Sequence, residues 1–187
     1  MEMIPYMHRM PLLIDLQKGD TMSVRKLTTL ALFTTLAIAI YAVESALPTL
    51  IPIPGIKPGL ANIITLTVLH RHGRSQALWV LLTRIFLCSI LFGQAMSLLY
   101  SLAGGLCCLL IMSLVSSFLQ RRFLFITSIM GALAHNGAQL AVAYIITRVP
   151  GVLAYLPFLI ISGIITGLFT GLCAGQLMKY LPRSEAQ

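Results

Sequence analysis

The sequence predicts an all-α, polytopic membrane protein: a six-helix transmembrane bundle with an ordered Pro/Gly-rich outer loop after the first helix. Three observations carry this expectation. Hydrophobic residues make up 58% of the 187 positions and charged residues 10%, with a mean hydropathy of +0.92, whereas soluble domains carry about a quarter charged residues. The apolar residues fall in runs suited to spans of roughly 20 residues, and the chain has room for about six of them with short connections. Between the first two runs stands Pro48-Thr-Leu-Ile-Pro-Ile-Pro-Gly-Ile-Lys-Pro-Gly-Leu-Ala-Asn62. Its prolines fix φ and remove backbone donors, so the preceding helix cannot continue through it, and Pro58 suits the first turn of the next helix.

Taken in order, residues 1–24 mix Met, Pro and charges and are expected to be a cytoplasmic tail, with Met22 as an alternative start. Residues 25–180 form the membrane domain and 181–187 a second cytoplasmic tail. Arg25 and Lys26 precede the run Leu27 to Leu47. That run exceeds the apolar core of about 7–15 residues in a signal peptide and is read as an uncleaved first helix. The second run, from Pro58 to the basic His70-Arg-His-Gly-Arg74, reaches only about 20 Å at 1.5 Å per residue, against a hydrocarbon core of about 30 Å. The loop before it is therefore expected to dip into the membrane under cover of neighbouring helices. Gln76 to Phe92 is a third span and Ser97 to Leu119 a fourth, joined by the tight Gly93-Gln-Ala-Met96. The fifth runs from Phe123 to about Thr147 and the sixth from about Val152 to Tyr180, with a tilt or kink expected near Pro157.

Charge fixes the expected orientation. With the N-terminus inside, Arg9, Lys18, Arg25, Lys26, Arg71, Arg74, Arg121, Arg122, Lys179 and Arg183 are cytoplasmic, while Lys57 and Arg148 are outside and Arg84 lies within a span. This positive-inside bias places both termini in the cytoplasm of a cell whose inner membrane holds the protein, and the Pro-rich loop outside. The net charge of +8 thus reports topology, and no nucleic-acid partner is expected. Cys88, Cys107, Cys108 and Cys173 lie in apolar runs without a C-x-x-C pair or a His at ligand spacing, so neither a disulfide framework nor a metal site is expected, and no cofactor.

Depth can be read along each helix. Glu44 comes out about 25 Å above the inner end, Gln139 and Asn62 about 24 Å, His135 about 18 Å and Arg84 about 12 Å. The first four share the outer half. His135 and Gln139 stand on one face at i,i+4 with Asn136 beside them, and Gly131 extends that face with a gap. A charged residue in a span costs about 2.5–3.5 kcal/mol, so such groups mark a pathway or a site. The alternative is interhelical bonding at about 0.6 kcal/mol each. Arg84 could equally satisfy carbonyls at the loop. Glu44 is either an interfacial residue or a partner for Lys57 or His135, and a pairing with Arg84 would have to bridge about 13 Å of depth. Gly163, Gly167, Gly171 and Gly175 form a stripe on the sixth helix that admits a close-packed helix, and Ala31, Thr35 and Ala39 a shorter one on the first.

These residues resemble a family. Lys26-Leu-Thr28, Glu44, Pro-Gly-Ile-Lys-Pro-Gly-Leu-Ala-Asn at Pro54 to Asn62, Leu82-Thr-Arg84 and His135-Asn-Gly-Ala-Gln139 resemble the Gx transporter family, also labelled heptaprenyl diphosphate synthase component I, over roughly Arg25 to Lys179. That family is similar to the S components of energy-coupling-factor importers, six-helix proteins that capture a vitamin-like molecule under a loop after the first helix. The resemblance implies that Pro52 to Asn62 is a lid and that Ala31, Thr35 and Ala39 dock a coupling membrane subunit driven by separate ATPases.

The expected function is a non-enzymatic, substrate-binding membrane subunit for uptake of a small vitamin-like, polar or amphipathic solute. Glu44, Lys57, Asn62, Arg84, His135, Asn136 and Gln139 are its expected binding residues, and the surplus of cations among them leans towards an anion. The alternatives are a non-catalytic membrane subunit of a heptaprenyl diphosphate synthase, or a stand-alone facilitator. Synthase chemistry within this chain is not expected, because Mg²⁺ and diphosphate need clustered carboxylates and the only aspartates are Asp15 and Asp20. Nor is there a G-x-x-x-x-G-K-[S/T] loop to hold ATP.

Overall fold

The computed structural model describes residues 23–46, 57–92, 95–119 and 123–181. The predicted tail up to residue 22, the loop at 47–56, the turns at 93–94 and 120–122 and the tail from 182 lie outside them. Among the described residues every regular element is helical: α1 (Val24–Ala46), α2 (Asn62–His72), α3 (Arg74–Phe92), α4 (Ala95–Phe118), α5 (Leu124–Thr147) and α6 (Leu156–Tyr180), with a 3₁₀ segment at Pro150–Tyr155 leading into α6. Five segments are long and apolar enough to cross a membrane: α1, α3, α4, α5, and Pro150–Tyr180. The chain is thus a multi-pass membrane protein of all-α class. The eleven-residue α2 is not of spanning length.

Helices suit this composition because lipid offers no partner for backbone N–H and C=O groups, which α-helices satisfy internally. Hydroxyls are silenced by the same device. Thr34 bonds the Leu30 carbonyl at 2.9 Å, Thr67 that of Ile63 at 2.8 Å and Thr166 that of Ser162 at 2.8 Å, each one turn back. Large apolar side chains such as Leu32, Val43, Ile90, Leu110, Ile165 and Leu172 remain exposed on the outer faces.

The core is built around α2. Ile64 to Leu69 are buried without a break, and a helix buried on all sides is one enclosed by others. It packs against α1, α3, α4 and α6. Enclosure of its middle explains how so short a helix is tolerated in the bundle. The second predicted span is thus present, but it begins later than expected. Pro58 does not open α2, because Gly59 adopts φ +81°, outside the helical region. A turn follows in which Asn62, Ile63 and Ile64 N–H donate to the Gly59, Leu60 and Ala61 carbonyls at 3.0, 3.0 and 3.2 Å.

Neighbouring helices are tied at the end that holds most of the basic residues. Arg71 of α2 donates to the Leu181 carbonyl at 3.2 and 3.3 Å, and Arg74 of α3 to the Ser113 carbonyl of α4 at 3.1 Å. At α5 and α6 the small-residue stripe packs as expected. A Cβ on Gly167 would meet the Ile129 Cα at 2.6 Å, and one on Gly171 the Phe125 Cα at 2.8 Å, whereas Gly175 has nothing within 4 Å. Asn136 Nδ2 to the Leu159 carbonyl (2.9 Å) and Ser128 to Thr170 (2.5 Å) bond the same pair of helices. Gly131 does not extend a gap: α4 fills it, with Met112 Cγ 2.5 Å from where a Cβ would stand. The expected discontinuity near Pro157 is a change from 3₁₀ to α geometry at Leu156, with Pro157 in the first α turn.

These contacts predict that Gly167→Val destabilises the protein by about 1–3 kcal/mol through overpacking against a backbone that cannot yield, while Gly175→Val is nearly neutral. Thermal unfolding of the two variants in detergent checks this; equal melting temperatures would show that the backbone approach is unimportant.

Candidate functional site

The turn before α2 sets a problem that α1 solves. Its carbonyls satisfy the first N–H groups of the helix, but the turn's own buried N–H groups need an acceptor. Glu44, buried near the end of α1, accepts the Gly59 N–H through Oε1, and the Leu60 N–H is directed at the same carboxylate. A carboxylate at a helix N-terminus is favoured by the dipole as well as by the hydrogen bonds. Of the two readings open for Glu44, the interfacial one is excluded by its 4% exposure, and the partner it finds is backbone rather than Lys57 or His135. Lys57 instead donates to Ser45 Oγ at 2.6 Å and lies 3.8 Å over the Tyr41 ring, and Tyr41 in turn bonds Ser97 of α4 at 2.8 Å. The two α1 residues and Glu44 share the end of the helix that flanks the loop.

The Gly59 turn presses directly on His135 of α5. A Cβ at Gly59 would lie 2.9 Å from Asn62 Nδ2 and 3.1 Å from His135 Nε2 and Cδ2; one at Gly104 of α4 would lie 2.7 Å from His135 Nδ1 and 3.1 Å from Gln139 Cγ. The imidazole is therefore held between two glycines, one in the loop and one in α4. Asn62 Nδ2 stands 3.5 Å from His135 Nδ1, at the long limit of a hydrogen bond. Arg84 of α3, placed by its depth well below Glu44, nevertheless acts electrostatically on both Glu44 and His135. No direct ion pair joins Arg84 to Glu44.

Asn62 of α2 and His135 and Gln139 of α5 thus lie together about Gly59 and Gly104, with the buried Arg84 of α3 near enough to act on His135 by its charge; the four are exposed by 6%, 4%, 1% and 5%. Each carries a buried polar atom without a hydrogen-bond partner: Asn62 Oδ1, Arg84 Nε, His135 Nε2 and Gln139 Oε1. Asn136 is separate from them, since its amide is spent on Leu159. Gly59 and Gly104 belong to the cluster and escaped the sequence reading; only the glycine's position inside a predicted span, next to Gly105, marked Gly104. Ala31, Thr35 and Ala39 lie exposed on α1, away from the cluster.

A family model described as heptaprenyl diphosphate synthase component I matches residues 33–177, a stretch that takes in all of these polar residues. No curated protein and no solved structure matches the chain.

Removing the carboxylate should loosen the site. Glu44→Leu leaves the Gly59 and Leu60 donors unpaired and is expected to cost about 1–3 kcal/mol per orphaned group, with Glu44→Gln, which retains one accepting oxygen, falling between it and the parent protein. Melting temperatures in detergent test this order; Leu and Gln variants of equal stability would refute the capping role.

Proposed function

The chain belongs to the heptaprenyl diphosphate synthase component I family, and from that membership and the buried polar cluster we propose that it is a non-catalytic membrane subunit that binds a small polar or amphipathic solute for uptake. One observation carries the reading. The interhelical bonds elsewhere in the bundle close on themselves, as Asn136 with Leu159, Ser128 with Thr170 and Tyr41 with Ser97 do. The four clustered side chains, apart from the long Asn62–His135 contact, leave Asn62 Oδ1, Arg84 Nε, His135 Nε2 and Gln139 Oε1 without a side-chain or backbone bond of ordinary geometry. An unmet buried polar group costs about 1–3 kcal/mol, so four of them in one place serve a guest molecule better than they serve stability.

In this reading Asn62, Arg84, His135 and Gln139 contact the solute, Glu44 and Lys57 hold the Gly59 turn beside it, and Asn136 fastens α5 to α6. Arg25, Lys26, Arg71, Arg74 and Lys179 mark the cytoplasmic end by the positive-inside rule. All six helices then belong to the bundle, with α2 entering from the outer loop as a partial span, and the cluster opens outward. The exposed stripe Ala31, Thr35 and Ala39 is the docking face for a coupling membrane subunit, whose ATPases supply the energy.

The family description itself favours a second reading, a non-catalytic subunit beside a separate prenyl synthase. Both assign the chain a partner. Purification from its own membranes separates them: a coupling subunit with ATPases supports uptake, and a soluble prenyl synthase supports the accessory role.

The site assignment predicts that a small molecule retained by the purified protein is lost by at least tenfold when His135 and Gln139 are both replaced by Leu, with the fold kept, as judged by mass spectrometry of the released solute. Unchanged retention would exclude these two residues from the site.

A further inference from the structure

We infer that the solute is a small monocarboxylate that also carries at least two N–H or O–H donors. This rests on the binding-subunit reading above and narrows it. The first constraint comes from the amides. Asn62 Oδ1 and Gln139 Oε1 are acceptors without partners, on side chains that are 6% and 1% exposed, and a carbonyl oxygen can be satisfied only by a donor. A guest that meets both oxygens therefore brings two donors.

The second constraint is charge. The Arg84 guanidinium is always protonated, is 5% exposed, and has a bare Nε. The nearby carboxylate, Glu44, is engaged by the Gly59 and Leu60 N–H groups, and Lys57 is turned to Ser45 and Tyr41. Arg84 and Lys57 against Glu44 leave one positive charge over. A buried ion needs a counter-ion with good hydrogen-bond geometry, and the planar guanidinium fork matches a carboxylate.

The two constraints act jointly. A fatty acid would neutralise Arg84 and leave both amide oxygens unpaired; a neutral polyol would do the reverse. A prenyl diphosphate brings several negative charges to a surplus of one and offers the amides no donor, so the substrate chemistry in the family's description does not fit this cluster.

The experiment uses the full chain purified in detergent. Small molecules released on denaturation are identified by mass spectrometry, and melting temperatures are recorded with gluconate, hexanoate, sorbitol and geranyl diphosphate at equal concentration. The expected result is a retained monocarboxylate bearing two or more donors, with retention falling at least tenfold in Arg84→Gln and in Gln139→Glu, and with gluconate stabilising more than the other three probes. Gln139→Glu keeps size and acceptor while adding a negative charge, so it tests the charge argument even where Arg84→Gln fails to fold. A retained neutral solute, diphosphate or donor-free carboxylate would overturn the inference and leave the binding-subunit reading standing, as would stronger stabilisation by hexanoate, sorbitol or geranyl diphosphate than by gluconate. No retained molecule and no stabilisation by any probe would overturn both.

Discussion

The bundle depends on the buried turn that leads into α2. The carbonyls of Gly59, Leu60 and Ala61 take the first N–H groups of α2, so the turn closes the helix start, but its own N–H groups point back from it and need an acceptor of their own. The acceptor comes from another element: Glu44 of α1 takes the Gly59 N–H and draws that of Leu60. A carboxylate in an apolar bundle would be expensive by itself. Here it accepts from the turn and its charge faces the Arg84 field, so a buried ion and a buried turn that needs an acceptor offset each other.

Everything at the cluster follows from where this cap holds the Gly59 turn. With the turn fixed, Asn62 is brought to His135, and the imidazole is confined between Gly59 and Gly104, where any Cβ would collide with it. The confinement restricts the ring's rotamers in advance, so little ordering remains for a binding event to supply. Below it, α2 is buried from Ile64 to Leu69, which lets α1, α3, α4 and α6 close around one post while their outer faces stay apolar. α5 and α6 are joined by a different principle: backbone contact at Gly167 and Gly171 and bonds that saturate their own polar groups.

Periodicity and composition were enough to place α1, α3, α4, α5 and α6 within a few residues, because long apolar runs bounded by basic or Gly/Pro turns have one reading in lipid. The start of α2 was not readable: Pro58 is a good first-turn residue, and nothing in the sequence says that Gly59 takes a positive φ. Counting the rise per residue puts Glu44, Asn62, His135 and Gln139 at similar heights, and Asn62, His135 and Gln139 do lie about Gly59 and Gly104. It also argued against a direct Arg84–Glu44 pair, and none forms; but it could not separate Asn136 from His135, because which face meets α6 is decided by packing with Gly163. Gly131 failed for the same reason: an empty position in one helix is a gap only if its neighbour leaves it empty, and Met112 does not.

α1 connects the two halves of the proposed function mechanically. Its outer face carries Ala31, Thr35 and Ala39, exposed among the described residues, and its far end holds the Gly59 turn at three points: Glu44 to Gly59, Ser45 to Lys57, and Tyr41 beneath the Lys57 ammonium. Among the described helices α1 packs chiefly on α2 and α3, with Tyr41 reaching Ser97 of α4. On the binding-subunit reading, a subunit docked on the exposed face would therefore act on the turn beside His135 through the same helix that holds it, so that docking and the position of the turn would be coupled without another element.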